Sequence, residues 1–215
     1  MGRRIIILIG GGSGSGKTTF ANNIKKILES YGISTTIIGM DRFYIGLEAM
    51  KKIGLEDNFD DPRSLDWIEL KQCLEKIRGG ANKITVPKYN YKIHERDGYE
   101  ELNIGDVVIM EGLWALLKNE ILNYADLSIY LDIDPDIRFI RRVKRDLIER
   151  GRDIEEVIER FMKYVKPMHE KYVEPTKNKA DILVPGGGLN EKAAEVIAYW
   201  VINKIKEINN EVQEK

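Results

Sequence analysis

Cysteine is almost missing from this chain: Cys73 is the only one in 215 residues. That excludes an internal disulfide framework and a multi-cysteine zinc site, and it suits a reducing compartment. Neither sign of charge prevails, since 34 lysines and arginines stand against 35 acids for a formal net charge of −1. Broad attraction to nucleic acid or to an anionic membrane is therefore not expected, and any basic site must be local. Long apolar runs are lacking too. Basic residues and then isoleucines occupy Met1 to Ile9, but Gly10 to Gly16 cuts the run far short of a signal-peptide core or a membrane span. A cytoplasmic protein, neither targeted nor inserted, is the expectation. Histidine is scarce, with His94 and His169 the only two.

A hydrophobic content of 43% over this length supports one substantial core, so one domain over 1–215 is expected. Ile5 to Ile9 is a β-branched run ending in glycines and reads as a buried parallel strand. A helix follows with Phe20, Ala21, Ile24, Ile27 and Leu28 on one face, closed by Gly32. Thr35–Ile38, Val107–Met110, Leu127–Leu131 and Ile182–Val184 are four further strand candidates, with helices between. Asp66 with Glu69 predicts a capped helix running to about Ile77 and stopped by Gly79 and Gly80. The stripe Ala193, Ala194, Ile197, Val201, Ile205 and Ile208 reads as core packing of a last helix rather than a coiled coil. The alternation predicts an α/β fold with a mostly parallel five-stranded sheet covered on both faces. Ligands should gather at the strands' carboxyl ends, which carry Gly10, Asp41 and Glu111.

"GGSGSGKT", Gly11 to Thr18, fits G-x-x-x-x-G-K-[ST] with a strand before it and a helix after it. Glycines let main-chain N–H groups turn inward around phosphates, and the helix presents its positive end to them. Gly11, Ser13, Gly14, Ser15, Gly16, Lys17, Thr18 and Thr19 are the expected triphosphate contacts, with Lys17 at the β and γ phosphates and Thr18 on Mg²⁺. No G-x-G-x-x-G register exists here, which disfavours a dinucleotide fold. Asn178 to Asp181 spells N-K-x-D, the guanine-reading signature of GTPase switches. That motif should follow a strand, whereas here it precedes one, and no D-x-x-G motif accompanies it.

Phosphoryl transfer needs a donor phosphate, an acceptor hydroxyl and a metal held in line. Asp41 in "GMDRFY" can accept the acceptor's proton, or it can be a turn or cap residue. Glu111 in "DVVIMEG" can hold Mg²⁺ or its water, or it can pair with a lysine. In "RFIRRVKRDLIERGRD", Arg138, Arg142 and Arg145 share a helix face, with Arg150 and Arg152 around Gly151. Such a cluster suits a lid over the triphosphate, about 138–160, in which Arg145 and Arg150 lend charge to the transferring group. The alternative is a solvated face tied by Arg142 with Asp146 and Arg145 with Glu149.

The chain resembles the uridine–cytidine kinases among P-loop kinases. The likeness runs from "GGGSGSGKTT" through "MDRFY", "NFDDPRSLD", "VPKYNYKIHERDG", "DVVIMEGLWAL" and "RRVKRDLIERGRD" to "YVKPMHEKYVEPTKNKADILVP". It implies a three-layer P-loop NTPase fold with a helical lid and a small substrate-binding β-hairpin at about 82–104. It also implies 5′-phosphorylation of uridine or cytidine with ATP or GTP and Mg²⁺, in pyrimidine salvage. Asp41 would be the catalytic base, with Lys17, Thr18 and Glu111 serving ATP and metal, and Asp60 would accept from the ribose hydroxyls. Tyr44, Tyr89, Tyr91 and His94 would hold the base, with Arg142, Arg152 and Arg160 on the substrate side. Tyr89 and Tyr91 share a strand face that His94 does not, so the chain must bend before His94. On composition alone the same segment is a half-exposed hairpin turning at Asp97 and Gly98, and His169 reads as structural or exposed. Two departures from the family pattern stand out: Arg160 where it commonly has glutamine, which bears on the acceptor, and Pro185-Gly186-Gly187 where it has P-R-G, which bears on how the lid or nucleotide is held. Guanidinium only donates and prefers anions, so Arg160 either tightens the ribose contacts or signals a phosphorylated acceptor. The remaining alternatives are a related kinase acting on ribulose 5-phosphate or pantothenate, and a nucleotide-gated switch. The expected partner is a small nucleoside, without nucleic acid or membrane, and the chain is expected to form a homo-oligomer.

Overall fold

The computed structural model describes residues 3–148 and 151–213. In chain order the elements are β1 (Ile5–Gly11), α1 (Lys17–Ser30), β2 (Thr35–Gly39), α2 (Leu47–Lys52), α3 (Trp67–Arg78), β3 (Lys83–Asn90), β4 (Glu95–Asn103) and β5 (Val107–Glu111). There follow α4 (Asn119–Leu122), β6 (Leu127–Asp132), α5 (Pro135–Ile148), α6 (Ile154–Arg160), α7 (Lys166–Met168), β7 (Ile182–Pro185) and α8 (Glu191–Gln213). Wide helical turns at Phe161–Val165 and His169–Val173 join α6, α7 and the chain beyond.

The five expected strands form one parallel sheet in the order β2-β5-β1-β6-β7. β1 is at most 1% exposed from Ile5 to Ile9 because both faces of the sheet are covered. Ile6 and Leu8 point into a core with Ile38, Met110, Trp114 and Tyr130, while Ile5, Ile7 and Ile9 pack against Phe20, Ile24 and Leu28 of α1 and Ile197 and Val201 of α8. This two-sided burial explains why the strand reads as an unbroken apolar run rather than an alternating one. In α8 the buried stripe is Ala194, Ile197, Ala198, Val201 and Ile202; Ala193, Ile205 and Ile208 lie at its margin. Among the described residues no helix is long and apolar enough to cross a membrane.

Asp66 caps α3 by accepting from the Glu69 amide at 3.0 Å. Glu69 does not complete the box, because its carboxylate takes Arg96 Nη1 from β4 instead, at 2.7 Å. That pair ties the β3–β4 hairpin to the main body. The hairpin is a separate antiparallel pair, and its turn is Tyr91–His94, not Asp97–Gly98. Asp97 and Gly98 lie within β4 at an irregularity between the Pro87–Tyr99 and Tyr89–Arg96 pairs, where Gly98 takes φ 76°. A bulge needs the positive φ that the hairpin turn was expected to use. His94, with φ 55°, supplies the bend that brings it back beside the tyrosines.

The N-K-x-D residues serve packing. Lys179 Nζ donates to the Leu117 carbonyl (2.7 Å) and Asn119 Oδ1 (3.1 Å), and Asp181 accepts from the amide and hydroxyl of Ser128.

Candidate active site

Sheet register brings the candidate groups together. Ile9 and Gly39 both pair with Glu111 across β1–β5 and β2–β5. The glycine-rich loop therefore leaves β1 level with the Glu111 carboxylate, and Asp41, in the turn Met40–Phe43, emerges two residues past the same row.

The loop from Gly11 to Gly16 enters α1 without a side-chain cap. Its first amides are left for an outside acceptor, which is the arrangement that binds anions at helix N-termini. Lys17 Nζ donates to the Gly11 and Gly12 carbonyls at 3.0 and 3.1 Å. Burial pushes its ammonium below the ordinary value, with Glu111 and Asp41 opposing and Arg145 and Arg138 adding. Gly14 has φ 82°, and a Cβ there would run into the Arg138 carbonyl of α5. Close contact between loop and helix is thus built on an absent side chain.

Thr18 Oγ1 donates to Glu111 Oε1 at 2.9 Å. Burial raises the Glu111 carboxyl above its usual range, Lys17 opposes the rise and Asp41 adds to it. A hydroxyl beside a carboxylate that lacks enough compensating positive charge is a donor set for a hard divalent cation such as Mg²⁺. Among the described residues no cluster of three or more His, Cys, Asp and Glu is placed to hold a metal, so phosphate and water would complete such a shell.

One cavity is lined by Ser13, Gly14, Lys17, Thr18, Asp41, Tyr44, Phe59, Asp60, Tyr89, Tyr91, His94, Glu111, Gly112, Leu113, Arg142, Arg145, Arg152 and Arg160. At the end away from the phosphate loop its wall is aromatic. Tyr44 lies 5.3 Å from Phe59 and 5.4 Å from Tyr89, Tyr89 lies 5.3 Å from Tyr91, and Phe59 stacks on His94 at 4.9 Å. Burial, with Asp41 and Asp60 nearby, raises the Tyr44 phenol well above its ordinary value. The buried Tyr89 hydroxyl has no hydrogen-bond partner among the described residues; such an orphan is a place for a ligand's polar atom. Asp60, 8% exposed, lies between this wall and the arginines, 3.6 Å from Arg142 Nη1.

Not every expected residue reaches the cavity. Gly11, Ser15, Gly16 and Thr19 do not line it, and Gly16 and Thr19 border a separate recess with Arg141, Gly188 and Leu189. Arg150 and Glu149 lie outside the described residues. The α5 arginines do not act as one set. Arg138 is 6% exposed and turns behind the phosphate loop, where its guanidinium fills the space beside Gly12, with Nη2 3.0 Å from His169 Nε2. Arg142 donates to Ser13 Oγ at 3.0 Å. Asp146 is fully buried, so the alternative of a solvated face does not hold, although the Arg142–Asp146 pair it named does form, at 3.5 Å. His169 is buried and structural, not exposed; burial pushes its imidazole below the ordinary value, and the Arg138 charge adds to this.

Arg160 pairs with Asp57 through both its carboxylate and its carbonyl (2.9 Å to the latter). Burial tends to raise the Asp57 carboxyl, but Arg160 outweighs it and holds it below the usual carboxylate range. In the second departure from the family pattern Gly186, where the family has arginine, has open space around it, while Gly187 and the following Gly188 press on the Ser15 and Gly16 carbonyls, where any Cβ would collide. Phe59, Gly112 and Leu113 were missed in the sequence. Phe59 left a signal, as the single aromatic inside the acidic turn "NFDDP".

A family model described as the phosphoribulokinase/uridine kinase family matches residues 6–193. The uridine kinase of Staphylococcus epidermidis is 41% identical over 199 residues, which are 92% of this chain and 95% of that protein. Uridine kinase-like protein 5 of Arabidopsis thaliana is 36% identical over 207 residues, 95% of this chain and 44% of that protein. This chain therefore spans less than half the length of the plant relative. Among solved structures, the phosphoribulokinase from Rhodobacter spheroides superposes with a TM-score of 0.65 at 19% identity, over 85% of this chain and 70% of that one, a likeness of fold.

Proposed function

The chain belongs to the phosphoribulokinase/uridine kinase family, and on that premise we propose that it moves the γ-phosphoryl group of ATP or GTP onto the 5′-hydroxyl of uridine or cytidine. The observation that carries this reading is one cavity lined by both the glycine-rich loop and an aromatic wall, with Asp41 close enough to act electrostatically on both Lys17 and Tyr44 and Asp60 on Tyr44.

In this reading the loop amides and Lys17 bind the triphosphate, and Asp41 takes the proton of the attacking hydroxyl, a role worth ~10²–10⁴-fold in rate. Thr18 and Glu111 would hold Mg²⁺, which when bound neutralises phosphate charge and orients the oxygens. Asp60 accepts from the sugar's hydroxyls, Tyr44, Phe59 and Tyr91 enclose the flat base, the unpartnered Tyr89 hydroxyl meets its polar edge, and His94 stands beside that edge. Residues 138–160 act as the lid, with Arg142, Arg145 and Arg152 facing the reacting groups.

Two observations weigh on the alternatives. Arg160 is already charge-paired with Asp57, so it offers little unpaired positive charge to a phosphorylated acceptor, which favours a neutral nucleoside over a sugar phosphate. A guanine-reading switch is disfavoured because Lys179 and Asp181 spend their polar atoms on the protein itself. A reducing cytoplasmic setting suits Cys73, whose buried thiol is pushed up to about 12 and is thereby kept unreactive. The test is ADP release with uridine, cytidine, their 2′-deoxy forms, ribulose 5-phosphate and pantothenate. Turnover with the first two supports the reading; turnover confined to the sugar phosphate or to pantothenate rejects it.

A further inference from the structure

We propose that Asp146 is a positioning residue, the anionic hub that holds Arg142, Arg145 and Arg152 in one fan aimed at the terminal phosphoryl group; this rests on the kinase reading above. Asp146 is 0% exposed on α5. Its Oδ1 accepts from Arg145 Nε at 3.0 Å and lies 2.9 Å from Arg145 Nη2. Its Oδ2 lies 3.5 Å from both Arg142 Nε and Arg152 Nη1. After Gly151 the chain returns, and the Arg152 amide donates to the Asp146 carbonyl at 3.1 Å. Both the main chain and the carboxylate of Asp146 thus set where Arg152 sits.

Two physical arguments give the carboxylate its role. A buried carboxylate is expensive to desolvate and persists only where cations surround it. Conversely, three guanidinium groups so close together repel one another, and they converge only around an anion. Arg142 shows what convergence achieves. With its Nε 3.5 Å from Asp146 Oδ2, a charge contact without a hydrogen bond, its guanidinium is drawn to the side of the carboxylate while Nη1 donates to Ser13 Oγ of the phosphate loop at 3.0 Å and lies 3.6 Å from Asp60 Oδ1. One side chain then spans the phosphate and sugar ends of the cavity, and Asp146 sets its angle without lining that cavity.

Asp146→Asn keeps the shape and removes the charge. The arginines should splay, and what depends on their charge should fail selectively. We expect ATP affinity to fall about 10-fold with ADP affinity changed less than about twofold, and kcat with uridine to fall about 100-fold while the uridine KM moves less than about fivefold. In a cycle with Arg145→Gln, the double variant should be no slower than the slower single within about threefold, as expected of residues acting as one unit. ATP and ADP affinities falling together, neither changing, or rate losses that multiply in the double variant would overturn the proposal and leave Asp146 a structural strut. If Asp146→Asn does not fold, Asp146→Asn with Arg152→Met, which removes a buried charge of each sign, takes its place with the same expected ATP and ADP affinities. If the unaltered protein turns over no acceptor, the kinase reading fails on its own, and the preference for ATP over ADP still decides the role of Asp146.

Discussion

Replacing Asp60 by asparagine tests how the cavity recognises a sugar. Asp60 is 8% exposed, and among the described residues the cation paired with it, Arg142 Nη1, is 3.6 Å away, outside hydrogen-bonding range. Most of its lone pairs are therefore available to neighbouring hydroxyls. A hydrogen bond to a charged acceptor contributes about 1.5–3 kcal/mol. A substrate lacking the 2′-hydroxyl strands one buried acceptor site, so uridine should exceed 2′-deoxyuridine in kcat/KM by about 10–150-fold at ~1.4 kcal/mol per decade. In Asp60→Asn the amide keeps one acceptor and turns a donor toward the second hydroxyl. Uridine should then lose about 10–150-fold in kcat/KM, while 2′-deoxyuridine loses much less and the ratio collapses toward unity. Coupled ADP release with both nucleosides measures the ratio, and ATP affinity serves as the control for a disturbed Arg142. A ratio that stays within about threefold of the unaltered protein's, with ATP binding intact, would place sugar recognition elsewhere.

Asp41→Asn should bind ATP normally and lose about 10²–10⁴-fold in kcat, the range of a positioned general base; stopped-flow nucleotide binding beside steady-state turnover separates the two, and near-normal turnover removes Asp41 from that role. Ile7→Ala, in the fully buried centre of β1, should cost about 2–5 kcal/mol by urea denaturation, and a loss under about 1 kcal/mol would contradict the close packing described for that layer. The His169 imidazole is held below its ordinary value by burial and by Arg138, so the unfolded chain binds its proton more readily. Its contribution to stability is complete above the ordinary histidine range and is lost as pH falls toward the folded-state value. The part of the acid-induced drop in denaturation midpoint between about pH 7 and pH 5 that comes from His169 should vanish in His169→Asn, and identical pH profiles for the two proteins would refute the assignment.

How much of this was legible in the sequence depended on whether the cause was local. The central strands of the sheet were visible because burial on both faces leaves apolar runs such as Ile5 to Ile9, and the edge strands β2 and β7, only partly buried with Leu183 47% exposed, were visible from their short β-branched or aliphatic runs. The phosphate loop was visible because its glycines and Lys17 are contiguous. The hairpin was visible, but its turn was not, since Gly98 looks the same whether its positive φ serves a turn or a bulge. Helical periodicity put Arg138, Arg142 and Arg145 on one face, yet it could not say that Arg138 would go behind the phosphate loop to meet His169, or that Asp146 would be buried at their centre. The Arg160–Asp57 pair, on which the reading of the acceptor turns, joins residues 103 positions apart, and no single-sequence pattern announces it. Phe59 is intermediate: the turn containing it was noted for its acids, and only the tertiary fold stacks its ring on His94.

Phosphorus NMR of the protein incubated with ATP, Mg²⁺ and uridine tests the central claim most directly, because it reads the site of transfer as well as its occurrence. A new 5′-phosphomonoester of uridine, formed in step with ADP and absent from the Asp41→Asn reaction, is the predicted result. ADP appearing with inorganic phosphate alone, or a monophosphate formed equally well without Asp41, would contradict the account.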